Sequence, residues 1–218
     1  MTRSRVTSTG PEPVVHRMGD RALLAELGDT SEVHALAAAV RRTIGHLLRE
    51  LVPGARTLLA VAHDPADLEQ VADALATPLE PGAGAAGSGA VGRLIEVAVR
   101  YDGQDLEAVA GHTGIPVEQI PAVHADVEHT VAFFGFAPGF GYLDGLPAAL
   151  RVPRLPSPRV RVEAGAVAIA GLQSVVYPGG TPGGWYVIGH ADLPLWRPAH
   201  DPPTLFQPGD RVVFRDAR

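Results

Sequence analysis

Arg151, Arg154, Arg159 and Arg161 fall within the eleven residues RVPRLPSPRVR, with no acidic residue among them, in a chain whose net charge is -6. Guanidinium forks in such density suit an anion, carboxylate or phosphate. The same run also reads as four solvated or ion-paired arginines on a proline-stiffened loop. Downstream, AGLQSVVYPGGTPGGW (170–185) sets Gln173 and Tyr177 between glycines and ends on Trp185. If this strand alternates, 173, 175 and 177 share a face, so an amide and a phenol point the same way and can hydrogen-bond an amide-like ligand. Upstream, FFGFAPGFGYLDGLP (133–147) combines five aromatics with four glycines and two prolines. That mixture excludes helix. Its glycines let the backbone take positive φ and approach a ligand while Phe136, Phe140 and Tyr142 wall a pocket. An ordered loop whose aromatics close a core fits the composition equally well.

Histidines add a smaller signal. His124, Asp126 and Glu128 would lie on one face of a strand, with His129 beside them, and so imitate a metal site. A cluster of this kind is more often a solvated face, and no metal is expected. His124 alone as a general acid or base is the stronger reading. Ser157 and Ser174 have no histidine partner by spacing, so nucleophilic serine catalysis is not expected. Other chemistry is excluded outright. The chain has no cysteine, and all 18 basic residues are arginine, which removes thiol chemistry and any P-loop, Schiff-base or biotinyl lysine of its own. No dinucleotide fingerprint is found. The acidic balance argues against nucleic acid, and no stretch is long and apolar enough for a bilayer. The first residues carry no apolar signal core, so a cytoplasmic location is expected.

The elements that must position these residues divide the chain in two. Residues 1–100 contain no Phe, Tyr or Trp, and all twelve aromatics lie between Tyr101 and Phe214. The predicted organisation is a flexible tail (1–12), a small α+β domain (13–80), a linker (81–92) in the uncharged PGAGAAGSGAVG, and a mainly β barrel domain (93–218). In the first domain VVHRMGDRALLAELGD predicts two strands around Gly19-Asp20. A helix follows, with Val33, Leu36, Val40, Ile44, Leu47 and Leu51 at steps of three and four and Asp29 or Thr30 as cap. RTLLAVAH then reads as a strand, and Asp64-Pro65 opens a second helix, for an order ββαβα. In the second domain RLIEVAVRY is a strand and DLEAVAGHTG a short helix. HTVAFFGF, AVAIAG, SVVYP, WYVIG and DRVVF are short strands punctuated by Gly and Pro, which points to a closed or nearly closed antiparallel barrel.

GFAPGFGYLDGLP, PRLPSPRVRVEAGAVAIAGLQSVVYP, TPGGWYVIG and PPTLFQPGDRVVF together resemble the family of 5-oxoprolinase B subunits, also called allophanate hydrolase subunit 1, which includes an inhibitor of a sporulation histidine kinase. The likeness covers the second half in order and, more faintly, the first. It implies a cyclophilin-like barrel behind a small α+β domain. It further implies an ATP-dependent lactam hydrolase complex that opens 5-oxo-L-proline to L-glutamate. The implied partners are the 5-oxoprolinase C subunit (allophanate hydrolase subunit 2) and the A subunit, with ATP held in a site shared with a partner. On that basis His124, Arg159 and Gln173 are the expected catalytic residues. Phe136, Phe140, Tyr142, Arg154, Tyr177 and Trp185 are the expected substrate-binding ones. The resemblance leaves two other functions open: a non-catalytic module that inhibits a sensor histidine kinase, and the carboxyltransferase half of a urea carboxylase-type enzyme. Three departures from the family pattern bear on the substrate: Glu163 in place of Pro, SVVYP in place of TGIYP, and His190 in place of Arg.

Overall fold

The computed structural model describes residues 13–78 and 92–217, so the expected tail and nearly all of the expected linker lie outside the described residues. The chain separates into two compact units, Met1–Val91 and Gly92–Arg218.

In the first unit β1 (Val14–Met18) and β2 (Ala22–Glu26) form a hairpin about Gly19, which sits at φ +76° where a side chain would be strained. α1 (Thr30–Ile44) starts at Asp29, whose Oδ1 accepts the Glu32 N–H at 3.0 Å. The apolar recurrence predicts a helix running on to Leu51, and here the structure differs. Helix ends at Ile44, Gly45 begins a single 3₁₀ turn, and β3 (Leu48–Pro53) leaves as an edge strand paired with β4 (Thr57–Ala62). Leu47 from the 3₁₀ turn and Leu51 from the strand reach the same core as they would from a helix, so their spacing alone did not separate the two. Asp64 then caps a 3₁₀ turn that leads into α2 (Leu68–Leu75). The order is ββαββα, and the antiparallel sheet runs β1-β2-β4-β3. Alternation on β2 and β4 buries Leu23, Ala25, Leu58, Ala60 and Ala62 in one core cluster with Val33, Leu36, Val40, Ile44, Val71 and Leu75 of the helices.

The second unit starts one residue inside the expected linker. Gly92 lies so close to Gly209 and Asp210 that a Cβ there would collide with their backbone. Its elements are β5 (Leu94–Val99), α3 (Leu106–Thr113), α4 (Ile120–Ala125), β6 (Glu128–Phe134), β7 (Gly141–Asp144), β8 (Arg159–Val162), β9 (Ala166–Ala170), β10 (Gln173–Val176), β11 (Thr181–Gly183), β12 (Tyr186–His190) and β13 (Arg211–Asp216). Seven strands form one sheet in the order β12-β9-β10-β7-β6-β13-β5, while β11 and β8 pair separately. All its neighbours are antiparallel except β13 and β5. The two edges then meet: Arg100 and His190 exchange backbone hydrogen bonds of 2.9 and 2.8 Å, which brings the sheet nearly round into a barrel. Glycine makes the seam possible, since a Cβ at Gly103 would strike the backbone of Val187 and Ile188, and one at Gly189 the Arg100 carbonyl.

β9 is buried on both faces. Val167 and Ile169 join Val97, Val131, Leu143, Ile188, Val212 and Phe214 in the main core, to which α3 and α4 add Val109 and Ile120. Ala166, Ala168 and Ala170 face the other way, against Phe140, Val175, Tyr177 and Trp185. The small residues of β9 thus leave room for the aromatics on that face.

Candidate functional site

β9 and β10 are joined by Gly171-Leu172, a two-residue turn in which Gly171 has φ +61° as hairpins of this twist require. Gly171 also donates its N–H to Val152 O at 2.8 Å, which ties the arginine-rich segment to the hairpin tip. Beside this junction opens a cleft of about 780 Å³ lined by Asp144, Arg151, Val152, Pro153, Arg154, Ala170, Gly171, Leu172, Gln173 and Trp185. Its size suits a small ligand. Gln173 stands opposite Asp144 on paired strands and donates Nε2–H to Asp144 Oδ1 at 2.7 Å. The Arg154 guanidinium lies 5.8 Å from the ring centre of Trp185, a cation–π contact.

The four arginines divide. Arg161 pairs with Glu163 at 3.1 Å on the surface. Arg159 is turned away from the cleft: its Nη2 donates to Asp105 Oδ1 at 2.6 Å and its Nη1 to the Trp185 carbonyl at 3.2 Å, while Asp105 Oδ2 accepts the Val187 N–H at 2.7 Å. Arg159, expected at a substrate anion, does not line the cleft; it is held instead by a buried carboxylate from 54 residues upstream. Arg151 and Arg154 both line the cleft, and among the described residues neither forms an ion pair.

The aromatic and glycine-rich stretch is a loop folded on itself. Ala137 N–H donates to Gly135 O at 2.8 Å, a three-residue turn centred on Phe136 at φ +68°. Phe140 N–H donates to Ala137 O at 3.0 Å across Pro138-Gly139, with Gly139 at φ +76°, and Gly135 N–H closes onto Phe140 O at 3.2 Å. Left-handed backbone at a phenylalanine costs on the order of 1 kcal/mol, so the surrounding turns must hold it. Phe140 and Tyr177 are buried edge to face at 5.1 Å, Tyr142 stacks on Phe133 at 4.5 Å, and Trp185 lies 5.8 Å from Tyr142. Burial pushes the Tyr177 hydroxyl up to about 12, so it is a neutral donor at ordinary pH. Burial raises the Tyr142 hydroxyl as well, against a smaller opposing pull from Arg154. Of the aromatics expected at a ligand, only Trp185 lines the cleft. Phe140, Tyr142 and Tyr177 back it as a packed wall, whereas Phe136 projects into solvent at 65% exposure.

His124 lies elsewhere. Residues 120–125 are the helix α4, with Pro121 tolerated in its first turn, so His124 and Glu128 do not share a strand face. His124 is fully buried against Phe214, 4.6 Å between ring centres, and does not line the cleft. Ser174, expected to lack a histidine, has two: its Oγ is 3.0 Å from His124 Nε2 and 3.1 Å from His129 Nε2, and Tyr101 Oη is 2.8 Å from His124 Nδ1. With both rings neutral, Tyr101, His124, Ser174 and His129 form a chain in which each bridging proton has one donor and one acceptor. Burial holds His124 well below the ordinary imidazole range and brings His129 to about 4. This is a polar bridge within the core, and none of its members lines the cleft although Gln173 and Ser174 are neighbours: alternation on β10 sends them to opposite faces. Spacing missed the bridge because its members come from α4, β6, β10 and the connection after β5. Asp144 was also missed, and its only signal was its place opposite Gln173 on a strand that was itself not predicted. Among the described residues no group of three or more His, Asp or Glu is placed to hold a metal, and no helix is long and apolar enough to cross a membrane.

Residues 13–206 match the family model described as carboxyltransferase domain, subdomain C and D. The chain belongs to this family. Curated proteins named as the B subunit of 5-oxoprolinase, from Escherichia coli O157:H7 and Bacillus subtilis (strain 168), are 50% and 46% identical to it over 125 residues, 56% of this chain and 57% and 52% of theirs. The family named from the sequence motifs is thus the one found. The matched segment spans little more than half the length of those relatives. The crystal structure of TTHA0988 is similar with a TM-score of 0.77 and 34% identity, covering 91% of this chain and 40% of that one. A conserved uncharacterized protein from Pyrococcus horikoshii is similar with a TM-score of 0.56 and 35% identity, covering 93% of this chain and 97% of its own. The Kluyveromyces lactis urea amidolyase shares the fold alone, at 16% identity and a TM-score of 0.67, covering 95% of this chain and 15% of that one.

Proposed function

We propose that the chain is the B subunit of an ATP-dependent 5-oxoprolinase, working in the cytoplasm with the A and C subunits, and that its cyclophilin-like barrel supplies part of the ligand site. The observation that carries this is the cleft, where Arg151 and Arg154, without a carboxylate partner among the described residues, converge with Trp185 and the Gln173–Asp144 pair. Those groups suit a small ring bearing a carboxylate and an amide. The names of the curated relatives support the same substrate over kinase inhibition or urea carboxylation.

A lactam carbonyl resists water, so the reaction needs its oxygen made into a leaving group. Attack of that oxygen on the γ-phosphorus of ATP releases ADP. Water then adds to the ring carbon, the C–N bond opens with a proton going to nitrogen to leave an acyl phosphate, and a second water hydrolyses that to glutamate and phosphate. In this scheme the present chain binds and orients: Arg151 and Arg154 hold anionic oxygens and Gln173 the amide. Neither a lysine nor a phosphate-cradling glycine loop is present, so the ATP site is shared with a partner and this chain is inactive alone.

The test is ATP-dependent glutamate formation from 5-oxoproline by the chain alone and after reconstitution with the A and C subunits. Activity is expected only in the complex. Arg154→Ala is expected to lower kcat/KM of the complex at least about tenfold, about 1.4 kcal/mol of transition-state stabilisation, with stability unchanged. Turnover by the isolated chain, or full activity in the Arg154→Ala complex, would overturn the proposal.

A further inference from the structure

We infer that Asp144 is a positioning residue that fixes the orientation of the Gln173 amide, and that the cleft thereby selects anionic ligands carrying an amide N–H over isosteres without one. The inference rests on the cleft being the ligand site proposed above. A carboxylate offers only acceptors, so the group facing Asp144 Oδ1 at 2.7 Å must be the Gln173 amide nitrogen; turning the amide over would set two oxygens against each other. The orientation is held by the backbone as well, since Gln173 and Asp144 are direct partners on β10 and β7. Gln173 Oε1 is left over. Among the described residues no donor reaches it, and the half-buried side chain lines the cleft. The cleft therefore presents one fixed acceptor, with Arg151 and Arg154 supplying positive charge on the same lining. A ring with N–H next to the carbon that bears its carboxylate satisfies both, whereas a ring with CH₂ at that position leaves the acceptor without a partner.

The probes are 5-oxoproline and 3-oxocyclopentane-1-carboxylate, which has the same ring outline with CH₂ in place of N–H. Affinities are measured by titration calorimetry on the full chain, alone and in the reconstituted complex. The wild type is expected to prefer the lactam at least about tenfold, the discrimination typical of one unpaired polar group. D144N gives the Gln173 amide a partner in either orientation, so the preference falls towards unity while affinity for the carbocycle is unchanged. Q173E sets two carboxylates together and weakens the lactam at least about tenfold. In the Q173E/D144N swap the new asparagine donates to the new glutamate, whose second oxygen again faces the cleft, and the preference returns. A merely structural role for Asp144 would weaken both probes equally and show no such rescue. Equal affinities in the wild type, binding of neither probe, an unchanged preference in D144N, or a swap no better than Q173E overturns the inference. The activity proposed above fails separately: a lactam preference without glutamate formation by the complex leaves the inference standing, and turnover inhibited equally well by the carbocycle does the reverse.

Discussion

Arg159→Ala is expected to destabilise the barrel unit while leaving Arg151, Arg154 and Gln173 of the cleft in place. In the native protein Asp105 is 7% exposed, with one carboxylate oxygen on Arg159 Nη2 at 2.6 Å and the other on Val187 N–H at 2.7 Å. Removing the guanidinium leaves a buried carboxylate with a single amide partner and takes one donor from the Trp185 carbonyl. Breaking a fully buried pair costs about 3–5 kcal/mol, and because 27% of the Arg159 side chain is exposed the loss here falls at about 2–3 kcal/mol. Urea unfolding followed by tryptophan fluorescence reads this cleanly, because both tryptophans, Trp185 and Trp196, lie in the second unit. With a urea slope of roughly 2 kcal/mol per molar, the midpoint drops by about 1 M or more. Arg161→Ala is the control: its pair with Glu163 is about two-thirds exposed at both ends, so its loss shifts the midpoint little. A double-mutant cycle with Asp105→Asn is expected to return a coupling of at least about 1 kcal/mol. If Arg159→Ala unfolds at the wild-type midpoint yet abolishes activity of the complex, Arg159 is an anion ligand after all and the structural account of the Asp105 pair is wrong.

Three further expectations follow from the same geometry. His129 is neutral in the folded protein down to about pH 4, whereas its unfolded form takes a proton near 6.5; the stability it contributes is complete above pH 6.5 and is lost as pH falls towards 4, about 3 kcal/mol in all, with buried His124 acting in the same direction. Urea midpoints across pH 4–7 check this, and His129→Gln should flatten the profile. Gly189→Ala pushes a methyl into the Arg100 carbonyl at the barrel seam and is expected to lower stability by about 2 kcal/mol or more; calorimetry showing an unchanged melting temperature would contradict the seam. Phe136→Ser removes a solvent-exposed ring from a strained turn, so it is expected to weaken binding of the proposed C-subunit partner at least about tenfold in size-exclusion or interferometric assays while leaving stability within about 0.5 kcal/mol, an outcome opposite to that for buried Phe140.

What the sequence determined by itself is whatever a short stretch of chain decides alone. Asp29 capping α1, the glycine turn of the first hairpin, the Asp64-Pro65 helix start and the alternation of β10 depend on backbone preference and on which side chains neighbour each other within a few residues, and all were legible. The division of aromatics marked where the second core begins, and the motifs named the family. Local pattern failed where two structures satisfy it equally: Leu47 and Leu51 reach one core from helix or from turn and strand, and His124, Asp126 and Glu128 read as one strand face although residues 120–125 are helical with Pro121 in the first turn. The pairings were decided only by the tertiary structure. Arg159 and Asp105 are 54 residues apart, Ser174 meets histidines 45 and 50 residues upstream, and β13 lies parallel to β5 across more than a hundred residues. A charge is a ligand group only if nothing closer neutralises it, and distance in space is set by the closing of the barrel. For that reason four equivalent arginines in the sequence became one surface pair, one buried clamp and two that face the cleft.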